Sequence, residues 1–156
     1  MEDFFDEHVR ELDATKLLLL VVGAHLESET TDRALGYRLR EEILAWQERA
    51  GGRRHLRPVV CTDLWYLNSQ PLRQQPTISI GRPEINAATA YLARRLPSAF
   101  MIEQRYCIQL DPEYVEVNAC IWGSDWRATS AAMDQFIERY LDAYLANVHQ
   151  TAQDAG

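Results

Sequence analysis

Three short apolar runs, each stopping at a polar or glycine-rich cluster, constrain this chain more than anything else in it. Leu17-Leu18-Leu19-Leu20-Val21-Val22 runs into Gly23-Ala24-His25-Leu26-Glu27, and Pro58-Val59-Val60-Cys61 runs into Thr62-Asp63. Thr77-Ile78-Ser79-Ile80 runs into Gly81-Arg82-Pro83-Glu84-Ile85-Asn86. A short apolar run without alternation suits a strand buried on both faces, as in a parallel sheet covered by helices. Parallel strands end at a common edge, so the polar clusters would gather where α/β proteins hold ligands.

Between the runs the apolar period lengthens to that of a helix. Leu35, Leu39, Ile43 and Trp46 predict a helix over 32–50, opened by Thr31 or Asp32 as acceptor and ended by Gly51-Gly52. Pro83 suits a first helical position, and Ile85, Thr89, Leu92 and Leu96 predict a helix over 83–96, closed by Pro97. Residues 3–13 read as an acidic amphipathic helix, with Phe4, Phe5, Val9 and Leu12 on one side, capping an end of the core. Trp65-Tyr66-Leu67 either continues the second strand or opens a helical turn before the turn signal Asn68-Ser69-Gln70-Pro71. Arg53-Arg54-His55-Leu56-Arg57 reads as a solvated basic turn.

Residues 102–123 predict a hairpin, with Tyr106–Leu110 and Val115–Trp122 flanking Asp111-Pro112-Glu113-Tyr114. A long helix over 125–148 follows, with a wide apolar stripe that includes Phe136, Tyr140 and Tyr144. The alternation predicts one α/β domain over 1–150 with a loose polar tail at 151–156. Its expected architecture is a three-layer Rossmann-like sandwich, mostly parallel, with an antiparallel C-terminal hairpin.

Composition narrows the partners. A chain of 156 residues is the size of one typical domain, and a net charge of −7 argues against the cationic face that nucleic-acid binding needs. The run Leu17–Val22 is far short of the ~20 residues that span a bilayer, and the first residues are acidic where a secretory signal is basic. Cys61, Cys107 and Cys120 have no metal-ligand spacing and cannot all pair, which fits reduced thiols in the cytoplasm. The expectation is a cytoplasmic protein with no nucleic-acid or membrane partner and no cofactor or metal.

The candidate site is His25, Asp63, Arg82, Glu84 and Asn86, with Trp122 or Asp125 at its rim. Gly81 permits a tight strand-to-helix turn, and Arg82 offers a planar fork for a carboxylate or phosphate. That fork could instead pair with Glu84 or Asp63. Pro83 removes an N–H from the following helix start, and Glu84 places a negative charge where a phosphate would sit. His25 could act as a base with Asp63 or Glu84, or serve only as a structural hydrogen-bonding residue. Cys61, inside Val-Val-Cys, reads as a core thiol, and Ser79 lacks the Gly-x-Ser-x-Gly elbow.

Ile80-Gly81-Arg82-Pro83-Glu84-Ile85-Asn86 resembles the Gly-Gly-Pro-x-x-Asn turn of archaeal S-layer proteins and, more loosely, cell-wall-binding type 2 repeats. Arg82 stands in place of the second glycine. The resemblance implies a non-enzymatic Rossmann-like scaffold. The sequence thus points to a binding or interaction module taking a small molecule or a protein partner. The alternative is a small hydrolase or transferase using His25 with Asp63 or Glu84. The broad stripe of the last helix, or the Phe4-Phe5 face, could be shared in a homodimer.

Overall fold

The computed structural model describes residues 16–51 and 56–155. The expected helix at 3–13 and most of the basic turn lie outside the described residues. Six strands, β1 (Leu17–Val22), β2 (Arg57–Thr62), β3 (Thr77–Ile80), β4 (Ser98–Ile102), β5 (Tyr106–Leu110) and β6 (Asn118–Gly123), form one sheet in the order β2-β1-β3-β6-β5-β4. β1 pairs in parallel with β2 and β3, and β3 with β6, so Leu20 stands beside Val60 and Ile78, and Ile78 beside Ala119. Of these six strands only β5 runs against the rest, pairing antiparallel with β4 and β6.

The helices are α1 (Leu26–Thr30), α2 (Asp32–Arg49), α3 (Asp63–Leu67), α4 (Gln70–Arg73), α5 (Ala87–Ala93), α6 (Trp126–Arg139) and α7 (Leu141–Ala155). β1 lacks alternation because both its faces meet helices. Leu18, Leu20 and Val22 pack with Leu39 and Ile43 of α2, Phe136 of α6, and Tyr144 and Leu145 of α7. Leu17, Leu19 and Val21 pack on the other face with Tyr66 of α3 and Ala88 of α5. The result is the three-layer α/β sandwich, mostly parallel with an antiparallel end, that the apolar runs foretold. Burying each Leu or Val side chain contributes about 1.5–3 kcal/mol, so the central strands anchor everything attached to their ends.

Four details differ from expectation. β4, over residues where the sequence predicts no strand before Ile102, forms the sheet edge, whereas the hairpin strand β6 lies inside the sheet. The β5–β6 connection spans 111–117, because Asp111 accepts from the backbone N–H groups of Glu113, Val115 and Glu116 and holds a wide loop. The last helix breaks at Tyr140, whose φ of −124° leaves the helical range, and resumes through Ala155. The break lets Tyr140 donate to Ala99 O at 3.2 Å while Tyr144 donates to Val117 O at 2.7 Å. The helix expected from 83 begins at 87, because Asn86 supplies the cap and Pro83-Glu84-Ile85 form a separate turn.

Trp65-Tyr66-Leu67 resolves as helix within α3. Phe136 and Tyr144 are wholly buried in the chain's own core, so the wide stripe of the last helices presents neither of them to a second copy. Among the described residues no helix is long and apolar enough to cross a membrane.

Candidate functional site

The chain leaves β1, crosses through α1 and α2 to β2 on one side, then returns through α3 and α4 to β3 on the other. The strand order therefore reverses beside β1, and the crevice between the carboxyl ends of β1 and β3 is the topological switch point. His25, Asp63, Arg82, Glu84 and Asn86 lie in the segments following β1, β2 and β3, whereas the rim residues Trp122 and Asp125 lie in β6 and just after it. Their roles there differ sharply.

Asp63 follows β2 and is buried. Its Oδ1 accepts from Ala24 N at 3.0 Å and from its own neighbour Leu64 N at 2.8 Å, and its Oδ2 accepts from Ala87 N at 2.8 Å. One carboxylate thus ties the loop after β1 to the starts of α3 and α5. Asn86 is likewise buried and fully engaged. Its Nδ2 donates to Ile80 O at 2.8 Å and Val21 O at 3.2 Å, while its Oδ1 accepts from Ala88 N and Thr89 N. The three N–H groups opening α5 are therefore occupied by Asp63 and Asn86, which closes that helix start to an anion.

Arg82 does not pair with Asp63. Its two terminal nitrogens donate to the two oxygens of Glu27, each at 2.9 Å, and its Nε lies 3.9 Å from Glu84. Such a bidentate fork is the strong, planar form of the Arg–carboxylate pair. The Glu27 carboxyl is held below the usual carboxylate range first by this hydrogen bond. His25 is exposed and accepts from Glu27 N through Nδ1 at 3.1 Å, capping α1. That bond requires Nδ1 without its proton, so the neutral ring carries its hydrogen on Nε2. Glu84 is exposed. No hydrogen bond or ion pair among the described residues joins His25, Asp63 and Glu84 to one another.

The residue that sequence reasoning missed is Asp32. Expected only as a helix cap, it makes no cap bond: Thr31 holds that position, and its Oγ1 donates to Glu27 O at 2.8 Å. Asp32 is instead 2% exposed, and its Oδ2 is buried with no hydrogen-bond partner among the described residues. It faces the turn after β3, where Gly81 adopts φ +113° and an added Cβ would stand 2.5 Å from that oxygen. Only glycine combines this backbone with that approach. Burial pushes the Asp32 carboxyl up to about 6, the Glu27 charge adding to the shift, while the hydroxyls of Ser28 and Thr31 and the Arg82 charge oppose it. No sequence signal distinguishes this aspartate from an ordinary one in the first turn of a helix.

At the rim, Asp125 caps α6 through Ala128 N at 2.8 Å, and Trp122 donates to Gln109 Oε1 at 3.0 Å. Both have structural roles. Cys61 is buried in β2 and its thiol is pushed up to about 12 by burial, as a core thiol should be. Among the described residues no group of three or more His, Cys, Asp or Glu is placed to hold a metal ion. The sequence matches no family model and no curated protein.

Proposed function

We propose that this chain is a cytoplasmic binding or interaction module, taking its ligand or partner at the β1–β3 switch point over Arg82, Glu27 and Asp32. The observation that carries the reading is the buried Asp32 Oδ2, which accepts no hydrogen bond among the described residues. A buried polar atom left without a partner costs about 1–3 kcal/mol and calls for an explanation, and ligand binding is a common one. Glu27 sits in the Arg82 fork as a ligand carboxylate would, so an acid or phosphate ester can exchange for it while its own donors meet Asp32. The local likeness of residues 80–86 to a non-enzymatic turn supports the same reading. A hydrolase or transferase built on His25 with Asp63 draws no support from geometry in which Asp63 already receives three backbone N–H groups.

Thermal-shift measurements with a panel of nucleotides, sugar phosphates and hydroxy acids test the proposal. A compound that binds the folded state raises the melting temperature. The expected result is a shift that disappears in Arg82→Ala. A shift unchanged in both Arg82→Ala and His25→Ala would place the site elsewhere.

A further inference from the structure

Charge at the switch point selects among the acids that the Arg82 fork can hold. One guanidinium stands there among three carboxyl groups. Glu27 sits in the fork, Glu84 lies 3.9 Å from Nε, and Asp32 is near enough for the Glu27 and Arg82 charges to bear on it. Neighbouring charges are already matched: Arg33 Nε donates to both oxygens of Glu29, and Asp63 receives three backbone N–H groups. His25 accepts through Nδ1 and in that form adds no charge. A phosphate draws its donors from arginines and from the N–H groups of helix starts. Here the N–H groups opening α5 are held by Asp63 and Asn86, and Glu27 N by His25. A dianion would add its charge to acids already in excess.

The unmatched oxygen defines the other half of the ligand. Asp32 Oδ2 is buried and accepts no hydrogen bond among the described residues. It lies against Gly81, where an added Cβ would stand 2.5 Å away, so the turn that carries the Arg82 fork also carries this acceptor. A buried carboxylate is met best by a donor with a positive charge, because charge-assisted hydrogen bonds are roughly twice as strong as neutral ones. We propose, resting on the switch-point reading, that the ligand is a small amino acid whose carboxylate takes the Arg82 fork from Glu27 and whose ammonium donates to Asp32 Oδ2. The displaced Glu27 carboxylate then faces the same ammonium, so one cation answers two acids. A zwitterion adds no net charge to this edge. A phosphate ester or a dicarboxylate does.

Isothermal titration calorimetry on the full chain tests it with pairs of probes that differ in one group. The common L-amino acids, β-alanine and 4-aminobutyrate are each set against the analogue with a hydroxyl in place of the ammonium. At least one amino acid should bind about tenfold more tightly than its hydroxy partner. Asp32→Asn, which keeps the shape and removes the charge, should shrink that preference to about threefold or less. Arg82→Ala should abolish binding of both members of the pair. A preference unchanged in Asp32→Asn would overturn the proposal, and so would no binding by any amino acid. Equal binding of both members, lost in Arg82→Ala, would also overturn it, yet would keep the switch point as the site of an acid. Inorganic phosphate binding through Arg82 where no amino acid binds would do the same. Amino-acid binding that ignores Arg82→Ala would overturn both this inference and the switch-point reading.

Discussion

Asp63 and Asp32 are both buried carboxylates at the same end of the same sheet, and they differ in what receives them. Asp63 follows the edge strand β2 and accepts three backbone N–H groups, one from each of three segments it holds together. Asp32 opens α2 beside the switch point, with one buried oxygen that has no hydrogen-bond partner among the described residues. The first arrangement lowers the energy of the fold; the second raises it. Burial alone therefore does not separate a structural acid from a candidate functional one. The inventory of donors does.

The comparison breaks most readily on the structural side. Asn86 shares the work of Asp63 and makes four hydrogen bonds in a site with no exposure. Asn86→Ala removes the cap of α5 and leaves Val21 O, Ile80 O and two N–H groups without their partner. The expected loss is about 3–5 kcal/mol, measured as a fall in unfolding free energy by urea titration. A loss below about 1 kcal/mol would mean that these groups find other partners, and the contrast with Asp32 would lose its basis.

How much of this was legible beforehand follows from the range over which each feature is specified. The three parallel strands are written in local runs: β3 matches its run, and β2 extends one residue beyond its run at each end. Asn86 was visible as a site residue, yet its role as the cap was hidden by Pro83, which suggested a helix start four residues too early. β4 escaped because Ser98-Ala99-Phe100-Met101-Ile102 lacks alternation, and at an edge its Met101 and Ile102 remain exposed. The break at Tyr140 depends on hydroxyl contacts with Ala99 and, through Tyr144, Val117, far away in sequence. Asp32 was invisible for the same reason. Its character comes from the turn at Gly81, 49 positions away, and nothing in Thr31-Asp32-Arg33 announces that approach.

The functional side of the comparison gives the next largest effect, with the opposite sign. The Asp32 carboxyl titrates at about 6 in the folded chain, against about 3.9 when unfolded. Between those values the folded state binds more protons, so this group's contribution to stability falls as pH rises from 4 through 6. Above pH 7 the full penalty of the buried charge is present. Asp32→Asn removes it and should stabilise the fold at pH 8 by about 1–2 kcal/mol, after allowance for solvent screening at the mouth. The advantage should shrink steadily toward pH 4, where the native aspartate is protonated. Urea titrations of both proteins at pH 8 and pH 4.5 measure the closing gap. A constant difference would assign the effect to packing rather than to charge.

The smallest stability effect belongs to Arg82, and it sharpens the contrast by separating stability from binding. Its fork holds Glu27 at the partly solvated rim, where water and salt screen the attraction and the free side chains regain their rotamers. Arg82→Ala should therefore move the melting temperature by only about 2 °C or less. That shift should diminish further at 1 M salt, as befits a screened surface pair. Arg82→Lys should behave similarly in stability, because a point charge serves such a pair almost as well. The two substitutions should part company in the ligand-induced shift, since a lysine cannot present two parallel N–H donors to a carboxylate or phosphate. If Arg82→Lys retained the whole shift, the fork geometry would be irrelevant and only the charge would count. If Arg82→Ala instead lowered the melting temperature as far as Asn86→Ala does, Arg82 would belong with Asp63 among the residues that hold the edge together, and the switch point would lose its candidate anion-binding group.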